Sequence, residues 1–168
     1  MSHQLLPVGD AQNKLCRIAT GNKSSLSILV GPHGSGKTTQ MPSIVSKPGP
    51  KNAMCRSLVT QPNILSAQAP AEFMTSKPSK FAEGKLIGLV DIIRRPKSLS
   101  QPRSVITFIP DDILNNWLST DQGMERLKDY KMIFIDDCHY KSIQTEHILL
   151  RIKTIMTASN QATYKYAI

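Results

Sequence analysis

The feature that most constrains this chain is a short glycine-rich segment, Gly31-Pro-His-Gly-Ser-Gly-Lys-Thr38, which fits the pattern G-x4-G-K-S/T. The apolar residues 25–30 before it predict a buried strand, and residues 38–45 predict the helix that follows. In this setting glycines let the backbone wrap a phosphate chain, the helix start offers unpaired N–H groups, and the lysine neutralises phosphate charge. We therefore predict a nucleotide-phosphate site formed by Gly31, Pro32, His33, Gly34, Ser35, Gly36, Lys37, Thr38 and Thr39.

A second candidate site segment, Asp136-Asp-Cys-His139, ends the most apolar strand predicted in the chain, residues 131–136. A phosphate-binding loop needs a carboxylate beside it, and Asp136 with the Thr38 hydroxyl suits a magnesium ion. Asp137 is placed to orient or deprotonate an attacking water, and His139 to couple this site to others. The candidate catalytic residues are thus Lys37, Asp137 and His139. The simpler alternative is an acidic turn at a strand end.

Strand-like and helix-like segments alternate along the chain, without repeats or low-complexity tracts. The remaining predicted strands are residues 53–60, 85–93, 104–109 and 163–168. The remaining predicted helices are residues 10–19, 64–75 with a kink or early end at Pro70, 111–117 and 143–156, and residues 47–51 predict a turn. This alternation predicts an α/β fold with a mostly parallel sheet flanked by helices on both faces.

Length and composition bound the classes of function. A chain of 168 residues is about one domain, and its net charge of +9 favours a polyanionic partner. The densest basic stretch contains Arg94, Arg95 and Lys97, with Arg103 nearby, although an ordinary solvated surface is an equal alternative. Three widely spaced cysteines predict neither a disulfide framework nor a zinc site. Without a long apolar run or a secretory signal, we expect an intracellular chain with no membrane partner.

Beyond the glycine-rich loop, several segments resemble the motifs of DEAH-box RNA helicases in the family's order. They are residues 29–42, residues 59–62 (Val-Thr-Gln-Pro), residues 104–111 with Ile113 and Leu114, residues 129–139, and residues 142–146 with Leu149 and Leu150. The resemblance spans about residues 5–168 and implies the first RecA-like domain of such a helicase, a P-loop NTPase. It also implies ATP and Mg²⁺ as cofactors, with single-stranded RNA and a helicase-associated protein as further candidate partners.

Several positions depart from the family's pattern. Asp137 replaces a glutamate, and a carboxylate withdrawn by ~1.5 Å predicts slow hydrolysis, since a misplacement of ~1 Å can cost about a hundredfold in rate. Asn63 and Ile64 replace two arginines, which removes candidate phosphate contacts. Phe73 lies near the place of an arginine that stacks on adenine in the family, although a phenylalanine here is more often a core residue. The other departures are residues 110–112 in place of Thr-Asp-Gly, Cys138 in place of alanine, and Tyr140 and Lys141 in place of Glu-Arg.

The family's second RecA-like domain, its arginine finger and its Ser-Ala-Thr motif have no counterpart in this sequence. We therefore expect residues 1–168 to be a single RecA-like ATP-binding domain with weak magnesium-dependent ATP hydrolysis, unable to unwind a duplex alone. Two alternatives stay open. One is a non-catalytic module, a degenerate helicase that binds ATP or a partner protein, and the other is an RNA-binding protein that relies on its charge.

Overall fold

The computed structural model describes residues 12–21, 24–46, 55–75, 90–98, 100, 103–158 and 165–167. Within them, six strands form one sheet in the order β1-β6-β5-β2-β4-β3, and every adjacent pair is parallel. The strands are β1 Ser25–Ser27, β2 Ser57–Gln61, β3 Val90–Ile92, β4 Ile106–Pro110, β5 Met132–Ile135 and β6 Lys165–Ala167. The predicted parallel sheet is confirmed.

Six α-helices lie among the described residues. They are α1 Gln12–Thr20, α2 Gln40–Val45, α3 Ile64–Thr75, α4 Asp111–Trp117, α5 Asp121–Leu127 and α6 Ile143–Ala158. None of them is both long and apolar enough to cross a membrane.

Helices cover both faces of the sheet because the central strands bury side chains on both sides. Along β5, Met132 and Phe134 pack against α1, α2 and α3, whereas Ile133 and Ile135 pack against α4, α5 and α6. All the residues of β2, β4 and β5 are buried, as expected for parallel strands with both faces covered. The helices on both faces are therefore confirmed.

The prediction of a buried strand over residues 25–30 is wrong. Only residues 25–27 form a strand, and it lies at one end of the strand order with β6 as its neighbour. Leu26, Ile28 and Val30 are 46%, 75% and 90% exposed, so one side of this segment carries apolar side chains in solvent. Apolar content alone does not distinguish a central strand from an outer one.

Two helices differ from their predictions. The helix after the glycine-rich loop begins at Gln40 rather than at residue 38, because residues 33–39 form turns. The helix α3 continues through Pro70 to Thr75, so the early end is wrong. The predicted turn at residues 47–51, and parts of the strands predicted at 53–60, 85–93 and 163–168, lie outside the described residues.

The helix α5 is an element that the sequence reading missed. Its start is capped by Thr120, whose hydroxyl accepts a hydrogen bond of 3.2 Å from the Gly123 amide. A side chain at Gly123 would place its Cβ 2.2 Å from the Trp117 Cα, so glycine is required where α5 turns against α4. Thr120 and Gly123 were the available signals.

Candidate functional site

The candidate site lies at the carboxyl ends of the parallel strands, where three separate segments meet. Residues 31–39 follow β1, Gln61 ends β2, and Asp136 and Asp137 follow β5. Ligand sites in open parallel sheets are generally found at this edge, because the loops that follow the strands converge there.

The glycine-rich loop has the backbone geometry that its sequence predicts. Gly34 and Gly36 have φ angles of 73° and 90°, which glycine adopts without a steric penalty. A Cβ on Gly36 would lie 3.0 Å from the Gln40 side chain, and one on Gly31 would lie 3.1 Å from the Ser35 hydroxyl. The loop therefore forms a cradle that side chains at these glycines would fill.

The Lys37 ammonium lies inside this loop. It donates hydrogen bonds of 2.8 Å to the carbonyls of both Gly31 and Pro32, and a third of 3.4 Å to the Ser35 hydroxyl. A positive charge is thus held against the backbone of the loop. Pro32, His33 and Gly34 are exposed, and Ser35 is buried.

Thr38 and Asp136, the two predicted metal ligands, are in direct contact although 98 residues separate them in sequence. The Thr38 hydroxyl donates to Asp136 Oδ2 at 2.5 Å. Asp136 Oδ1 accepts the Asp137 amide at 3.0 Å. The structure therefore brings together the loop threonine and the strand-end carboxylate, and the Lys37 ammonium lies on the same loop as Thr38.

Gln61 also belongs to this cluster, and the sequence reading gave it no role. Its side-chain amide donates to Asp136 Oδ2 at 2.8 Å. The signal was present, since Gln61 ends a strand that pairs in parallel with β5 and therefore reaches the same edge.

Asp137 has a left-handed backbone with φ 54°, a conformation that aspartate tolerates better than most residues. Burial and the neighbouring Asp136 charge raise the pKa of its carboxyl, against the opposing effects of His139, Lys37 and His33. His139 Nδ1 lies 3.8 Å from Asp137 Oδ1, and these side chains are 69% and 37% exposed. The structure thus places Asp137 beside both the metal-ligand candidate and the predicted coupling histidine.

Cys138, which replaces the family's alanine, has an uncharged thiol at neutral pH. Burial and the charges of Asp111, Asp136 and Asp137 raise the pKa of its thiol to about 11. The thiol donates to the Ile135 carbonyl at 3.3 Å, so it packs beneath the turn rather than adding a charge to the site.

A buried carboxyl lies next to this cluster, and sequence reasoning missed it. Asp111 is 1% exposed, and its Oδ2 accepts a hydrogen bond of 3.0 Å from the Thr145 hydroxyl. Its other oxygen, Oδ1, and the Thr60 hydroxyl are also buried, and neither forms a hydrogen bond of good geometry. Burial raises the pKa of Asp111, while the nearby hydroxyls of Thr60 and Thr145 oppose that shift. This carboxyl joins the start of α4 to the start of α6.

Two residues on or next to α3, each at a departure from the family's pattern, have different placements. Asn63 Oδ1 accepts the Ser66 amide at 2.9 Å, so this side chain supports the first turn of α3. Phe73 is 53% exposed, which makes the core reading of this residue wrong, because its ring lies on the outer side of α3.

The basic stretch forms an exposed loop that is held in place from behind. Arg94, Arg95, Lys97 and Arg103 are all exposed. The Pro96 carbonyl accepts hydrogen bonds from the Trp117 indole at 2.8 Å and from the Arg126 guanidinium at 2.7 Å. The Pro96 carbonyl therefore ties this part of the chain to α4 and α5.

The residues present fit a magnesium–nucleotide complex. Magnesium prefers oxygen ligands, usually one or two protein groups with substrate phosphates and water, and the Thr38 hydroxyl and Asp136 carboxylate are such a pair. In the part of the chain that the structure describes, no three His, Cys, Asp or Glu side chains converge on a metal-sized site. A metal here would therefore depend on phosphate oxygens, for which the glycine cradle and Lys37 are suited.

Comparisons with known proteins give sequence relatives and a structure of the same fold. No family model matches the chain. It is 26% identical over 160 residues to the ATP-dependent RNA helicase TDRD9 of Danio rerio, with 95% of this chain and 11% of the relative covered. It is 29% identical to the ATP-dependent RNA helicase HrpA of Borreliella burgdorferi, with 89% of this chain and 17% of the relative covered. The chain therefore spans less than a fifth of the length of either relative.

A solved structure has the same fold. The Escherichia coli DEAH/RHA helicase HrpB superposes with a TM-score of 0.71 at 16% identity, covering 96% of this chain and 19% of that one. At this identity the likeness speaks for the fold alone, and the sequence matches supply the relationship. The chain is a RecA-like domain related to the DEAH-box RNA helicases.

Proposed function

We propose that this domain binds ATP with Mg²⁺ in the cradle of residues 31–39 as the nucleotide-binding part of an RNA helicase. The observation that carries the proposal is the 2.5 Å contact between the Thr38 hydroxyl and Asp136, on the loop that also holds the Lys37 ammonium. The relatives named above are ATP-dependent RNA helicases, which supports the same nucleotide. ATP is therefore the ligand, and single-stranded RNA the proposed polymer partner.

Each residue has a defined task in this proposal. When bound, Mg²⁺ supplies positive charge to the phosphate oxygens at which negative charge develops during phosphoryl transfer. Lys37 neutralises phosphate charge, Thr38 and Asp136 hold the metal, and the backbone of residues 31–36 surrounds the phosphates. Asp137 orients or deprotonates the attacking water, and His139, 3.8 Å from it, links this carboxylate to neighbouring elements.

We propose that hydrolysis is weak. The Asp137 carboxylate is one methylene shorter than the glutamate of the resembling family, which withdraws it by ~1.5 Å from a water held at the phosphate. Asn63 supports α3 and carries no positive charge, so this segment offers fewer phosphate contacts to RNA than the family's arginines would. In this proposal residues 1–168 are one RecA-like domain, and this domain alone does not unwind a duplex.

The test is a titration with fluorescent ATP, in Mg²⁺ and in excess chelator. We expect Mg²⁺-dependent binding by the unaltered chain and a loss of affinity on the order of tenfold or more in Lys37→Ala, because a charged donor to phosphate is removed. Lys153→Ala, which removes an exposed lysine on α6, is the matched control and should bind as the unaltered chain does. Equal affinity in Lys37→Ala would refute the proposal.

A second candidate function is a non-catalytic module that binds ATP or a helicase-associated protein without turnover. The specific observation in its favour is the short acid at Asp137, 37% exposed and held in a left-handed turn. Steady-state ATP hydrolysis decides between the two. Turnover that rises on addition of single-stranded RNA would exclude the non-catalytic module, whereas ATP binding with no turnover would exclude the weak enzyme.

A further inference from the structure

The orientation of the Asp136 carboxylate depends on its hydrogen-bond donors. The terminal torsion of aspartate is broad, so the backbone alone does not fix the direction of the two oxygens. In this structure Oδ1 accepts the Asp137 amide, and Oδ2 accepts both the Thr38 hydroxyl and the Gln61 side-chain amide. Three donors from three different segments therefore determine where this carboxylate points.

Gln61 is the donor that comes from outside the predicted nucleotide machinery. It is the last residue of β2 and 3% exposed. The strands β2 and β5 are paired with Thr60 opposite Ile135, so Gln61 and Asp136 are the next positions along their strands. Its amide nitrogen reaches Asp136 Oδ2 at 2.8 Å, which is a good hydrogen-bond length.

We propose that Gln61 is a positioning residue that holds the Asp136 carboxylate in the orientation needed for Mg²⁺. This inference rests on the proposed function, because it concerns the same metal. Without the Gln61 amide, Oδ2 has only the Thr38 hydroxyl as donor, and Thr38 lies on a different element that must also meet the nucleotide. The amide fixes Asp136 from the sheet, independently of the loop. Residues that orient a metal ligand in this way typically affect metal affinity by 10- to 100-fold.

Gln61 also lies close to the start of α3. Pro62 and Asn63 follow it directly and lead into α3. The start of α3 therefore lies three residues after Gln61, whose side chain contacts the metal-ligand carboxylate. A shift of residues 62–63 would move the Gln61 amide relative to Asp136 Oδ2.

The experiment measures the Mg²⁺ concentration that gives half-maximal binding of fluorescent ATP, at a fixed ATP concentration. Gln61→Met keeps nearly the same size but has no amide donor. We expect it to raise this Mg²⁺ midpoint by about tenfold. Nucleotide binding in excess chelator should not change, because the cradle of residues 31–39 is untouched. A purely structural role for Gln61 would instead alter binding in both conditions.

Two further variants keep the test decisive. Gln61→Asn retains an amide but withdraws it by one carbon, so it should also raise the Mg²⁺ midpoint. It serves as the test variant if Gln61→Met does not fold. Gln68→Met is the matched control, since the Gln68 amide donates to Glu72 within α3 rather than to the site. It should behave as the unaltered chain.

The outcomes separate this inference from the proposed function. If the unaltered chain shows no Mg²⁺-dependent ATP binding, the proposed function fails and this inference with it. If the unaltered chain binds ATP with Mg²⁺, and folded Gln61→Met and Gln61→Asn have its Mg²⁺ midpoint within about twofold, well below the expected tenfold change, this inference alone is overturned.

Discussion

At the scale of single residues, the acid at position 137 is the most consequential departure in the site. Its carboxylate lies 3.8 Å from His139 and follows directly after Asp136. If the acid is too short for its water, Asp137→Glu should raise Mg²⁺-dependent ATP turnover by up to about a hundredfold, since that is the typical cost of a ~1 Å misplacement. Steady-state phosphate release measures the effect.

The control for this change is the double variant Asp137→Glu with Lys37→Ala. It should lose the gain, because turnover at this site needs the phosphate-binding lysine. A folded Asp137→Glu with turnover unchanged from Asp137 would contradict the idea that the length of the acid limits the reaction.

The same residues show how far a sequence can predict a site. The sequence predicts the loop glycines, Lys37, Thr38 and Asp136 as candidate site residues, because a short pattern and one strand end suffice to name them, and the structure brings Thr38 and Asp136 into contact. Gln61 and Asp111 were missed as site neighbours, because each acts through a contact with a residue at least 34 positions away in sequence. Such contacts are set by strand order and by helix placement, which one sequence does not specify.

At the scale of elements, the buried Asp111 carboxyl joins α4 to α6 through the Thr145 hydroxyl. Its Oδ1 and the Thr60 hydroxyl are both buried without a completed hydrogen bond. Asp111→Asn would keep an oxygen for the Thr145 hydroxyl and supply an amide donor for Thr60. We expect this variant to be more stable at pH 7 by on the order of 1 kcal/mol, because a buried charge is removed and an orphan acceptor gains a donor. Urea unfolding measures the difference.

The pH dependence of this difference follows from the direction of the pKa shift. Burial raises the pKa of Asp111 in the folded state above its ordinary value of 3.8. The folded chain therefore binds this proton more tightly than the unfolded chain does, and the ionised carboxyl lowers stability as pH rises between the two pKa values. The advantage of Asp111→Asn should be smallest and constant below that interval, grow through it and be constant above it. Asp121→Asn, which replaces an exposed carboxylate at the start of α5, is the control. An advantage equal at pH 3 and pH 7 would contradict a role for ionisation.

Elements differ in how far their sequence specifies them. The strand β5 and the helix α4 were predicted well, since four consecutive apolar residues and an acidic helix start are local signals. The helix α5 was missed, because its packing against α4 depends on the absence of a side chain at Gly123. The segment at residues 25–30 was predicted as a buried strand, but only residues 25–27 form a strand, and Leu26, Ile28 and Val30 are exposed whereas Leu29 packs against the core.

At the scale of the whole molecule, basic residues are distributed along the chain and give a net charge of +9, and their densest stretch is residues 94–97. Arg94, Arg95 and Lys97 are exposed on a backbone that Trp117 and Arg126 hold through the Pro96 carbonyl. Three exposed cations on a segment anchored in this way form a candidate surface for a polyanion. The third reading of the sequence, RNA binding through charge, therefore has a specific surface.

This surface gives a prediction about single-stranded RNA, which rests on RNA being the polymer partner. Each phosphate contact on a single strand contributes about 0.7 to the slope of log affinity against log salt. Replacing Arg94, Arg95 and Lys97 by alanine should make that slope less steep by roughly 2 and weaken binding to sequences of all compositions alike. Fluorescence anisotropy over a salt series measures it. A matched triple replacement of exposed Lys14, Arg151 and Lys153 removes the same net charge elsewhere. If both triple variants reduce the slope equally, the effect is one of net charge, and the loop has no special part in holding RNA.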